Sequence, residues 1–338
     1  MKKVIQYILL FFVIGIGIYF MTKDTSSTLS VGLTEFAVDQ PYQRVQKIFF
    51  ADNNGNTILL EKRGDGKWDL NQKYLARPES VDLLLDVFKN IEVQGPIPTK
   101  GLALTTKLMA VSHVKVEIYT DDPLEPEKIW YIGQASGKGY GTEMLLETPE
   151  DGRSSLPYYT HILSFKGHLK ARFFTNENDW RYTSVFEYSN LEFDRVEVEY
   201  PMENHNSFSV DLKSDGDLAL FDERRVELSN FDTSKVRDFI LGFKFMHYEI
   251  VSDSVSAGFR DSVFSSTPLA QFSVIEKGGT DTNSITLYPI KAYGKYAAEN
   301  PEKPWDPNRI YGDYKGEFVF CQYYAFDRIL YRKSEFIQ

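Results

Sequence analysis

The sequence predicts an α+β protein: an N-terminal transmembrane helix followed by two tandem β-rich modules, each a sheet with one main packed helix. Three observations lead there. The chain opens on an uncharged apolar run of 18 residues, Val4 to Met21. From residue 45 onward, alternating apolar runs are punctuated by Asn-Gly and Asp-Gly turns, the mark of antiparallel hairpins. Finally, one strand–turn–strand–helix pattern is written twice. Residues 58–70 (ILLEKRGDGKWDL) align with 208–220 (FSVDLKSDGDLAL), setting Asp65-Gly66 on Asp215-Gly216, Trp68 on Leu218 and Leu70 on Leu220. The helical stripe that follows, Val81, Leu84, Leu85, Phe88 and Ile91, recurs as Val236, Phe239, Ile240, Phe243 and Met246. The expected organisation is an anchor with a short cytoplasmic tip (1–23), a tether (24–41), a first module (42–185) and a second (186–338).

The elements follow in chain order. At 1.5 Å per residue, Val4 to Met21 reaches about 27 Å, enough for a bilayer core. Val4, Leu9, Phe12, Ile16 and Met21 are its expected lipid contacts. Lys2 and Lys3 precede it, which holds that end in the cytoplasm and predicts a single-pass inner-membrane protein with a periplasmic body. The competing reading is a cleaved signal peptide; the length of the run and the absence of a small-residue cleavage site favour the anchor. Thr22 to Leu33 is polar and Ser/Thr-rich, as a tether is. In the first module, 45–51, 57–62 and 68–70 read as strands, Pro78 onward as the main helix, 99–109 as a short second helix, and 114–119 with 128–132 as a hairpin. Residues 156–169 read as a helix and 179–186 as a connector. In the second module, 195–200 with 207–212 and 269–275 with 284–288 read as strand pairs, and 233–243 as the helix. A long insert, 291–316, then precedes the closing strand 317–324 and a terminal helix or extension over 327–336. Gly141 to Met144 aligns with Lys315 to Phe318.

Composition narrows the function. The 338 residues suit about two domains. The formal charge is −10 and no basic stripe is present, so a nucleic-acid partner is excluded. The single Cys321 forms no internal disulfide and rules out a multi-cysteine zinc site. Aromatics at 15% suit a β-rich core.

Several segments of this chain resemble the domain of unknown function 4340 family. The carriers are Trp68 to Leu70 (W-x-L), RPESVDLLL at 77–85, and DWRYTSVF at 179–186 followed by FDRVEVEY at 193–200. The resemblance covers most of residues 45–290. It implies a bacterial membrane-anchored envelope protein, often encoded beside gliding-type ABC transporter components, and carries over no catalytic residues.

The chain has no HExxH helix, G-x-S-x-G elbow or Walker loop, so no catalytic, cofactor or metal residues are expected. His161 and His168 would share one helical face but lack a third ligand. Gly137, Gly139 and Gly141 read as a hairpin loop, since a phosphate cradle needs a helix after it. Asp121, Asp122, Glu125 and Glu127 read as a solvated loop. The informative stretch is 293–314, where Tyr293, Trp305, Tyr311 and Tyr314 are interleaved with prolines. These rings, with Tyr140 in the matching loop of the first module, are the candidate ligand or partner contacts; the plainer reading packs them onto the sheet. The leading expectation is a non-enzymatic periplasmic scaffold that binds other envelope proteins of a transport or motility assembly. The alternatives are a glycan- or peptide-binding module using residues 293–314, and a hydrolase using scattered carboxylates.

Overall fold

The computed structural model describes residues 34–136, 141–163, 165–213, 216–279 and 281–337. The described chain divides into two compact units that meet between Tyr182 and Thr183.

The first unit opens with the short helix α1 (Pro41–Arg44) and the antiparallel strands β1 (Lys47–Asp52), β2 (Thr57–Lys62), β3 (Trp68–Leu70) and β4 (Tyr74–Leu75). Helix α2 (Pro78–Asn90), strand β5 (Glu92–Pro96) and helix α3 (Thr99–Val111) follow. Strands β6 (Val114–Tyr119), β7 (Lys128–Ala135), β8 (Thr142–Thr148), β9 (Gly152–Arg153) and β10 (Tyr158–His161) complete the sheet, and helix α4 (Glu177–Trp180) ends the unit. The strand order is β4-β3-β2-β1-β6-β7-β8-β10-β5, with β9 paired to β8.

The second unit contains β11 (Ser184–Phe186), β12 (Phe193–Glu199), β13 (Phe208–Leu212), β14 (Leu218–Asp222), helix α5 (Thr233–Leu241), β15 (Met246–His247), β16 (Ile250–Val251) and helix α6 (Ala257–Phe264). It continues with β17 (Ala270–Glu276), β18 (Thr282–Lys291), helix α7 (Gly294–Glu299), β19 (Trp305–Tyr314), β20 (Glu317–Gln322) and helices α8 (Tyr323–Phe326) and α9 (Lys333–Phe336). Its main sheet runs β14-β13-β12-β17-β18-β19-β20-β16, and β11 pairs with β15 in a small second sheet.

Both units follow one path. A meander, β1 to β4 in the first unit and β12 to β14 in the second, leads into a helix; β5 or β16 then pairs at the far edge of the main sheet, a second helix follows, and the last strands fill the gap as hairpins. The register agrees as well: Leu60 pairs with Leu70 and Ile48, as Val210 pairs with Leu220 and Val196. The Asp-Gly turns close alike. Arg63 N donates to Lys67 O and Lys213 N to Asp217 O, while Gly66 (φ 84°) and Gly216 (φ 87°) take the left-handed conformation that favours glycine. The two helical stripes, Val81 to Phe88 and Val236 to Phe243, are buried because each covers the apolar face of its sheet. Phe88 meets Trp130 edge-on at 5.1 Å; Phe243 meets Phe186 at 5.0 Å and Phe239 at 5.2 Å.

Several expectations are corrected. Strand makes up 38% and helix 26%, in three sheets, so the protein is mostly β rather than α+β with one sheet and one main helix per module. The physical reason is that each unit extends one long antiparallel sheet, of ten strands in the first and eight in the second, and the helices only cover its two faces. Residues alternate along a strand: Trp130, Ile132 and Met144 face α2, while Gly133 and Glu143 face α3. Residues 156–169 hold β10 and loop instead of a helix, so His161 and His168 share no helical face. Residues 327–336 hold a turn at 327–329 and the one-turn helix α9, within the expected terminal helix or extension. The long insert 291–316 contains β19, hydrogen-bonded on both sides, and the true connection spans only 292–304. Pro307 masks the strand; it falls between the Lys291–Trp305 and Pro289–Ile310 pairs, where the β18–β19 register shifts and a missing donor is tolerated. The late alignment is displaced by one strand, because Thr142 opens β8, the topological counterpart of β19, whereas Glu317 opens β20.

The inner-membrane placement is also corrected. Among the described residues no helix is long and apolar enough to cross a membrane. The longest, α2 and α3, have 13 residues each and extend about 20 Å, short of a bilayer core. The expected anchor and its contacts Val4, Leu9, Phe12, Ile16 and Met21 lie outside the described residues, as does most of the tether.

Replacing Phe88 or Phe243 by Ala is expected to cost roughly 3–5 kcal/mol, read from the denaturation midpoint in urea followed by circular dichroism. A pH test bears on the second unit. Arg332 grips Glu203 through Nε (2.7 Å) and Nη2 (3.2 Å), and with Asn206 it pulls the Glu203 carboxyl down to about 2. Because the folded value lies below the ordinary 4.5, the stabilisation is present above pH 4.5 and is lost as pH falls toward about 2. Glu203→Gln should flatten the pH dependence of unfolding across that window.

Candidate functional site

The ends of β18, β19 and β20 in the second unit build the candidate site. Lys291 pairs with Trp305, and Ala292 N donates to Pro304 O at 2.8 Å, so the connection leaves and rejoins the sheet at one point. Between them, Gly294 (φ 60°) starts α7, and Asn300 N closes it on Tyr296 O at 2.9 Å. Asp306 Oδ1 accepts from Asn308 N at 2.7 Å and Arg309 N at 2.9 Å, an Asx turn that pins the strand entry. These constraints hold Trp305 at the wall of an open groove of about 490 Å³. Pro304 and Pro307 frame the ring, and Tyr296 and Tyr323 add two further aromatic walls. Glu302, Asp306 and Asp327 face Lys303 as the single base, so the groove is acidic. Burial raises the Tyr323 hydroxyl above its usual value, reinforced by the charges of Asp327 and Asp306, which keeps it a neutral donor.

The structure does not gather the five rings expected from the sequence. Trp305 (49% exposed) and Tyr293 (73% exposed) are open to solvent. Tyr311 packs against Phe318 at 4.8 Å and Phe320 at 5.3 Å. Tyr314 sits 6.1 Å from Tyr248 and donates its hydroxyl to Val185 O at 3.4 Å. Residues three apart on a strand point to opposite faces, so these two cannot share one surface. Tyr140 lies outside the described residues. Tyr323 and Asp327 went unrecognised: Tyr323 reads as part of the closing strand, and only the fold brings it beside Trp305.

Two other chemically suggestive clusters are paired internally. Arg44 binds Asp121 at 2.9 Å and Glu127 at 2.7 Å, which supplies the cation that acidic loop calls for. A cavity of about 210 Å³ between α3 and the sheet includes His113, Tyr131 and Arg153. His113 Nδ1 lies 2.8 Å from Met109 O, and Arg153 donates to Glu147 at 2.8 Å and to the Tyr131 hydroxyl. Among the described residues no cluster of three or more His, Cys, Asp or Glu is arranged to hold a metal ion.

No protein-family model matches the chain, and no curated protein matches it. The resemblance to the 4340 family therefore rests on the segments quoted above.

The ring environments make a direct prediction. Trp68, Trp130 and Trp180 are buried while Trp305 is half exposed. Acrylamide should quench a red-shifted fraction of the tryptophan emission, and Trp305→Phe should remove that fraction without moving the denaturation midpoint by more than about 0.5 kcal/mol.

Proposed function

We propose that this chain is a non-catalytic binding protein whose second unit holds a basic segment of a partner protein in the Trp305 groove. The observation that carries the reading is Trp305 itself. A half-exposed indole is fixed between two prolines, beside two tyrosines, in a groove with three acids and one base. Rigid rings supply contact area at little conformational cost, and indole is the best aromatic face for a cation. The acids attract Lys or Arg side chains, and the formal charge of −10 favours encounter with a cationic partner. The open shape suits an extended segment better than an enclosed small molecule.

The test is a random-peptide array probed with the full chain. Bound peptides should be enriched in Lys or Arg beside Pro or an aromatic residue. Trp305→Ala should weaken them about tenfold or more, and Asp306→Asn with Asp327→Asn should reduce both binding and its salt sensitivity. A hit set without cation enrichment, or one that Trp305→Ala leaves intact, rejects the reading.

A further inference from the structure

The duplicated path provides an internal comparison at the other end of the second sheet. In the first unit, the groove between α2 and the end of β2 is filled by the chain itself. Val38 N donates to Phe88 O at 2.8 Å, and the chain then turns through α1, burying Pro41 and Val45. Tyr42 enters the groove. Its hydroxyl donates to Asp86 Oδ1 at 2.7 Å and to Asp82 O at 3.3 Å, and Lys62 Nζ donates to Tyr42 O at 2.6 Å.

The second unit starts the same approach: Tyr188 N donates to Phe243 O at 3.2 Å, and Phe243 is the counterpart of Phe88. From there the routes differ. Val38 lies ten residues before Ile48, whereas Tyr188 lies eight before Val196, the counterpart of Ile48. The shorter route has no helical turn and passes through Leu191 at φ 54°; its ring at the groove, Phe193, is a buried wall packed on Phe243 at 6.4 Å, in the place of Val45 and not of Tyr42. In the place of Tyr42 the second unit has a cavity of about 500 Å³. Three of its walls are counterparts of the residues Tyr42 touches: Leu212 for Lys62, Arg237 for Asp82 and Leu241 for Asp86. Leu241 is 41% exposed, an apolar side chain left without its cover.

The exchange also reverses the chemistry. The carboxylate that receives the Tyr42 hydroxyl is gone, and Arg237, Lys213 and Lys277 border the cavity instead. Lys213 has Glu227 at 3.8 Å, whereas the side chains of Arg237 and Lys277 make no hydrogen bond or ion pair among the described residues. Of the acids at the rim, Asp194 is bonded to Gly278 N at 2.8 Å and Glu192 is exposed.

We propose that this groove docks a segment of a partner protein that carries an aromatic side chain next to an acidic residue. The ring takes the place Tyr42 takes in the first unit, and the carboxylate pairs with Arg237, with Lys213 and Lys277 close by. A peptide is the fitting occupant because a peptide segment, residues 40–45, is what fills the equivalent groove. The acidic requirement follows from charge complementarity with the three bases. The site is separate from the Trp305 groove and selects the opposite charge.

The test titrates the full chain with a dye-labelled, end-capped peptide, Gly-Asp-Pro-Tyr-Glu-Gly, by fluorescence anisotropy. Two control peptides replace Tyr by Ala, or Asp and Glu by Asn and Gln. The parent peptide should bind at least about tenfold more tightly than either control. Arg237→Glu and Leu241→Asp should each weaken it about tenfold or more, Arg237→Lys should keep it within about threefold, and Trp305→Ala should leave it unchanged. Circular dichroism melts confirm that the surface variants fold. Binding of all three peptides within about twofold of one another, no binding up to about millimolar concentration, or wild-type affinity in Arg237→Glu overturns the proposal. Free 4-hydroxyphenylacetate displacing the peptide at equal concentration also overturns it, since the site would then be a small-acid pocket.

Discussion

Each unit depends on one packing constraint: an apolar helical stripe must cover one face of an antiparallel sheet. Phe88 and Phe243 sit at the centre of that contact, each fully buried among rings and aliphatic side chains. A sheet with a buried face cannot slip by one residue, because a slip would turn its whole apolar set to solvent. The cover therefore holds the register of the meanders, and the matched pairs Leu60–Leu70 and Val210–Leu220 are its outcome. The following strand, β5 or β16, is then committed to the far edge, and the closing hairpins have a single gap to fill.

With the inner faces settled alike, the units diverge where other elements meet the sheet. In the first, α3 approaches so closely that a Cβ on Gly133 would lie 2.8 Å from Met109 Cγ and 3.0 Å from Glu143 O. Only glycine allows that distance. In the second, Tyr288 follows the core residue Leu287 as Gly133 follows Ile132, and it lies parallel to Phe264 of α6 at 5.6 Å. Phe264 in turn stacks on Phe318 at 5.6 Å, so rings occupy the space that the first unit closes by direct helix contact. The approach to the first strand differs too, by two residues and one tyrosine. One architecture thus yields a filled groove in one unit and an open one in the other, and both open features of the second unit border connections rather than the packed core. Loops positioned by a rigid scaffold are where binding surfaces belong.

The candidate site was partly legible from its residues. Trp305 could be singled out because prolines crowd around it and a ring between prolines has little freedom to retreat. Tyr311 and Tyr314 look equivalent to it in sequence, but β19 is a strand, and the alternation hidden under Pro307 and Gly312 sends those two rings to opposite faces. Tyr323 and Asp327 left no local signal; they follow β20 and reach Trp305 only through the β19–β20 pairing.

The sequence by itself determined the local rules: which helical positions are buried, where the Asp-Gly turns reverse the chain, and that one strand–turn–strand–helix pattern occurs twice. Those features depend on neighbours a few residues apart, so periodicity and turn chemistry suffice to state them. Only the tertiary structure decided that helices lie on both faces of each main sheet, that β19 divides the supposed insert, and that Arg237 and Leu241 face a space which Tyr42 fills in the other unit. These outcomes depend on which strands become neighbours and on how a connection two residues shorter routes the chain. Both are set by long-range packing, and no window of the sequence contains them.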